Sequence, residues 1–88
     1  MKKLFTEKAW DDINYWISES PETYKKIKTL IKEIERNPFR GIGKPEPLKH
    51  QMKGYWSRRM TQEHRLVYKV EGSKENQILT LVSAKGHY

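Results

Sequence analysis

At 88 residues, with 18 Lys+Arg against 11 Asp+Glu, a net charge of +7 and no cysteine, the chain has the size of one domain, 1–88, with a single modest core. The lack of cysteine excludes a disulfide framework and a thiolate zinc site, and suits a reducing, cytoplasmic setting. Met1-Lys2-Lys3 starts like a signal peptide, but only Leu4-Phe5 follows before Thr6-Glu7-Lys8 and no later stretch approaches the ~20 apolar residues of a membrane span, so no membrane role is expected.

Leu4 and Phe5 are expected to start a sheet. Thr6 then serves as N-cap of a helix whose apolar side is Trp10, Ile13, Trp16 and Ile17, with Asp11, Asp12 and Asn14 turned outward. Ser20-Pro21-Glu22 restarts the chain with a capping serine, a proline at the first helical position and an acid in the first turn. Tyr24, Ile27, Leu30, Ile31 and Ile34 mark the inner side of this second helix, which Asn37-Pro38 stops. The connection between the helices is short enough to demand a hairpin. The tryptophans read as packing residues rather than as a cofactor site.

Phe39 to Pro47 holds Gly41, Gly43, Pro45 and Pro47, so it is a loop of restricted shape. Its Gly-x-Gly lacks a third glycine and a following helix, which excludes the dinucleotide and Walker motifs. Pro47 pushes Glu46 out of the helical region and holds it near an extended conformation. An ordinary exposed glutamate is the plain alternative; a fixed general base is the functional one.

Gly54 to Met60 and Arg65 to Val70 read as strands joined by Thr61-Gln62-Glu63-His64, and Gln77 to Ser83 supplies a third. Leu66, Tyr68 and Val70 share one face, and Arg65, Val67 and Lys69 the other; in the neighbouring strand Tyr55, Ser57 and Arg59 go together. Arg59 and Arg65 point the same way only if paired residue numbers sum to an even value. Helices followed by antiparallel strands give an α+β fold, two N-terminal helices packed on a small antiparallel sheet, with the other sheet face open for a ligand.

From Arg40 to Lys69 there are eight basic residues and two acidic ones, interleaved with Tyr55, Trp56 and Tyr68. That pattern suits a phosphate backbone with bases stacked beside it, and a solvated basic face is the bland alternative. His50, His64 and His87 form no close helical pair with another ligand, so no metal and no cofactor are expected. His50 and His64 are most simply loop residues, whereas His87 is expected at the sheet margin, with a frayed terminus as the bland alternative. An imidazole to donate a proton, a carboxylate to accept one and guanidinium groups around a phosphate suit phosphodiester cleavage, with RNA as substrate.

Three blocks, Gly43-Lys44-Pro45-Glu46-Pro47-Leu48-Lys49-His50, Gly54-Tyr55-Trp56-Ser57-Arg58-Arg59 and Glu63-His64-Arg65-Leu66-Val67-Tyr68, together with the terminal His87-Tyr88, resemble the YoeB (Txe) branch of the RelE/ParE toxin superfamily over almost the whole chain. The resemblance implies a type II toxin that enters the ribosomal A site and cuts messenger RNA without a metal. It implies Glu46 as general base, His87 as general acid, Arg65 as transition-state stabiliser and Tyr88 as a terminal aromatic orienting RNA. Lys49 and Arg59 add charge around the phosphate, and Lys44, Lys53 and Arg58 complete the expected RNA-binding set. Its implied partners are a YefM-like antitoxin, the ribosome with its messenger, operator DNA only through the antitoxin complex, and a second copy in a homodimer. The competing readings are a non-catalytic basic RNA-binding module and a superfamily toxin with another target such as gyrase; Glu46 with His87-Tyr88 discriminates, because a pure binder needs neither.

Overall fold

The computed structural model describes residues 1–86. Strand β1 (Lys2–Phe5) leads into helices α1 (Glu7–Glu19) and α2 (Pro21–Arg36), followed by the two-residue strand β2 (Glu46–Pro47), a 3-10 turn at His50–Met52, and strands β3 (Trp56–Arg59), β4 (Arg65–Glu71) and β5 (Ile78–Ser83). The caps are those the sequence predicts. Thr6 Oγ1 accepts from the Ala9 amide at the start of α1, and Ser20 Oγ accepts from the Thr23 amide at the start of α2, with Pro21 directly behind it. Ser20 alone separates the helices, which makes the expected hairpin.

The five strands form one sheet in the order β1-β5-β4-β3-β2. β2 to β5 pair antiparallel, but β1 runs parallel to β5, so the sheet is mixed rather than wholly antiparallel. The helical hairpin and everything after it separate β1 from β5, and that length permits the parallel return. Arg59 pairs with Arg65 and Ser57 with Val67, the even-sum register that turns both arginines to one side.

Ile27, Leu30 and Ile34 of α2, Ala9 and Trp16 of α1, and Leu66, Tyr68, Leu79 and Leu81 of the sheet build the core. The stripe on α1 differs from the expected one. Ala9, Asp12 and Trp16 face inward, while Trp10 and Ile17 are 58% and 46% exposed. The inward side is set by small Ala9, which lets α1 approach β5, and by Asp12, whose Oδ2 accepts from the Ala84 amide at 2.9 Å and from Lys8 Nζ at 2.9 Å. A carboxylate with these two donors tolerates burial, so Asp12 is not turned outward as its polarity suggests.

The second sheet face is also less open than expected. Ser57, Val67 and Ser83 lie in register across β3, β4 and β5 and are all buried.

Candidate active site

Glu46 sits at the edge of the sheet, exposed, with its backbone paired to Ser57. A proline on each side is tolerable there because an edge strand can omit one row of ladder bonds. Leu48 N donates to Tyr55 O at 2.8 Å just beyond, which continues the pairing. Pairing carries Glu46 onto the same sheet face as Ser57 and Val67, and alternation along β3 and β4 adds Arg59 and Arg65 to that face. Arg65 lies two strands across and two residues along from Glu46, roughly 12 Å between backbones at the usual spacings, with Arg59 opposite Arg65 on the strand between them. A carboxylate and two guanidinium groups thus share one sheet face.

Arg65 is half-buried, and among the described residues its Nη1 is buried without a hydrogen-bond partner, as is Ser57 Oγ. Unsatisfied donors of this kind are rare in folded chains and are most easily understood where a ligand supplies the acceptor. Arg59 on this face is exposed, as are Lys44, Lys49 and Lys53 in the flanking loops. Lys44 and Arg59 also line an open depression of about 310 Å³ with Gly43, Met60 and Lys26 of α2. Lys26 was not among the predicted cations, since nothing in a lysine-rich helix singles out the one that leans toward the loop.

Arg58 departs from expectation. It is 0% exposed, on the helix side of the sheet. Its Nε donates to Tyr68 Oη at 3.1 Å, Nη1 to Ile42 O at 3.2 Å, and Nη2 to Asn37 O at 2.7 Å and Arg40 O at 2.9 Å. Four of its five N–H donors are taken and the side chain is wholly buried, so Arg58 is removed from the RNA-binding set. The alternation that groups Arg59 with Tyr55 and Ser57 already puts Arg58 on the core side; its charge hid that signal.

His87 and Tyr88 lie outside the described residues. The chain leading to them is anchored from two elements. Ala84 N donates to Asp12 Oδ2 and Ala84 O accepts from Trp16 Nε1 at 2.7 Å. Gly86 O accepts from the Arg65 amide at 3.1 Å, and Gly86 N donates to His64 Nδ1 at 3.0 Å. The His64 ring packs edge-on against Trp16 at 4.9 Å between centroids. Hence His64 is more than a loop residue: with Arg65 it pins the segment that precedes the predicted acid. Among the described residues no group of three or more His, Cys, Asp or Glu side chains is placed to hold a metal ion, and no helix is long and apolar enough to cross a membrane.

The family model described as a YoeB-like toxin of bacterial type II toxin-antitoxin systems matches residues 5–88. The chain belongs to this family. It is 48% identical to Toxin YoeB of Escherichia coli K12 over 88 residues, covering 100% of both chains. Its fold superposes on a YoeB/ParE toxin from Agrobacterium tumefaciens with a TM-score of 0.94, at 48% identity and complete coverage of both chains. YoeB of Staphylococcus aureus is 40% identical, with the whole of this chain and 98% of that one covered; it is known as a dimer (TM-score 0.89) and in a YoeB-YefM complex (TM-score 0.87). The likeness extends over the whole length of the fold, and the chain is a type II toxin-antitoxin toxin.

Proposed function

We propose that this YoeB-like toxin is a ribosome-dependent endoribonuclease that cuts messenger RNA in the A site without a metal. The observation that carries the reading is the placement of Glu46, Arg59 and Arg65 on one sheet face, with Gly86 bonded to the Arg65 backbone. Glu46 takes the proton from a ribose 2′-hydroxyl, and that oxygen attacks the adjacent phosphorus. Arg65, helped by Arg59 and Lys49, balances the charge that grows on the non-bridging oxygens. His87 protonates the departing 5′-oxygen, and Tyr88 orients the nucleotide. Lys44 and Lys53 hold the flanking backbone.

The products are a 2′,3′-cyclic or 3′-phosphate on one fragment and a 5′-hydroxyl on the other. End analysis of cleaved messenger tests this chemistry. A 5′-hydroxyl is expected, and a message carrying a 2′-deoxy nucleotide at the scissile position should stay intact because it lacks the attacking group. A 5′-phosphate, or cleavage of the deoxy-substituted message, contradicts it.

The likeness to the S. aureus complex supports a YefM-like antitoxin as partner, with an acidic, partly disordered segment that orders on the basic face. The dimeric relative supports self-association. Operator DNA enters only through the antitoxin complex, and the setting is the cytoplasm.

A further inference from the structure

Arg58 is a buried guanidinium with no carboxylate among its hydrogen-bond partners: two side-chain nitrogens reach three backbone carbonyls, and the third reaches the Tyr68 hydroxyl. Tyr68 Oη in turn donates to Pro38 O at 2.8 Å. Four carbonyls between Asn37 and Ile42 are thus tied to β3 and β4 by two side chains. An apolar residue of similar volume would fill the same space without burying a charge, so burial alone does not explain an arginine here. Direction does, because the planar fork fixes several acceptors at once.

The segment so tied runs straight into Glu46. Gly43, at φ +83, packs where a Cβ would come within 2.9 Å of Leu30 Cδ2 and 3.1 Å of Arg58 Cβ, and its carbonyl accepts from the Arg59 amide at 2.6 Å. Lys44 follows at φ 50, a left-handed conformation that a lysine holds only when its surroundings impose it. β2 has only two residues, too few to hold its own position against solvent.

We propose that Arg58, with Tyr68, is a positioning residue for the cleavage reaction, locking the Asn37–Lys44 turn so that the Glu46 carboxylate meets the 2′-hydroxyl. The proposal rests on the reading of Glu46 as general base. It touches neither RNA nor phosphate, and its effect passes wholly through Glu46.

Single-turnover cleavage of ribosome-bound messenger and ribosome affinity are measured for the parent, Arg58→Met, Glu46→Gln and the double variant, with amide exchange followed at Glu46 and at Arg59, whose N–H donates to Gly43 O. Arg58→Met should leave affinity within about threefold and slow cleavage roughly 10- to 100-fold, the scale of a small misplacement of a reacting group. In the Glu46→Gln background the same change should cost less than about threefold, since its effect has already been lost. Exchange at both amides should quicken. An equal loss in both backgrounds, a cleavage rate at the parent level, or unchanged exchange overturns the clamp. If Arg58→Met does not fold, Tyr68→Phe carries the same comparison. If Glu46→Gln cleaves like the parent, the functional reading fails instead, and the amide exchange alone then decides whether Arg58 holds the turn.

Discussion

Glu46 is exposed at a sheet edge and its carboxylate makes no hydrogen bond with the described residues, so replacing it by an amide disturbs no packing. Glu46→Gln is expected to lower cleavage by about 100- to 10,000-fold, the range for loss of one acid or base group, while thermal unfolding stays at the parent temperature. A parent-like rate removes Glu46 from the base role. Arg65 differs from the surrounding cations because part of its guanidinium is buried without an acceptor among the described residues. A donor held in that state can strengthen its interaction as the phosphate gains charge, whereas solvated Lys44 and Lys53 feel the ground state equally. Arg65→Ala should therefore slow single-turnover cleavage more than it weakens ribosome binding. Lys44→Ala and Lys53→Ala should mainly weaken binding and flatten its salt dependence by about one unit of slope at most. Matching losses in rate and affinity for all three would leave a basic RNA-binding module.

Two elements carry the site, the anchored tail and the clamped turn. Asp12 and Trp16 on α1 grip Ala84, and His64 and Arg65 grip Gly86. Asp12→Ala strips a buried amide of its acceptor, which costs about 1 to 3 kcal/mol. Chemical denaturation should register that loss, and cleavage should fall further than stability explains, because the tail bearing His87 is freed. Stability loss with undiminished cleavage by the remaining folded protein would contradict the link. On the clamped turn, burial raises the Tyr68 pKa above the usual 10.0, opposed by the hydrogen bond and charge of Arg58. The folded chain then holds the phenolic proton more tightly than the unfolded one, so this contribution is whole below pH 10.0 and is lost as pH rises through the folded value. Between pH 10 and 11.5 the parent should lose unfolding free energy more steeply than Tyr68→Phe; parallel pH profiles would show that Tyr68 does not control it.

These elements also mark the limits of the sequence. Caps at Thr6 and Ser20, the inner side of α2 and the pairing parity of Arg59 with Arg65 follow from short-range rules, and all are present. Asp12 and Arg58 do not, because their burial depends on backbone partners 72 residues away at Ala84 and 16 to 21 residues away in the turn. Polarity argued for solvent at both positions, and tertiary hydrogen bonds overrode it.

Across the whole molecule, charge and fold divide the work. The helices cover one face of the sheet, Arg59 and Arg65 lie on the opposite face, and Lys44, Lys49 and Lys53 are exposed in the loops that flank the edge strand at Glu46. Such an asymmetric field draws an anionic polymer to one side and raises the encounter rate at low salt. On the proposed reading, this side acts on messenger held by the ribosome. That claim is tested most directly by in vitro translation with the purified chain, followed by mapping of messenger ends on the stalled ribosomes. New ends within or beside the A-site codon, absent with Glu46→Gln, are the predicted result; intact messenger on stalled ribosomes, or ends scattered without relation to the ribosome, would contradict it.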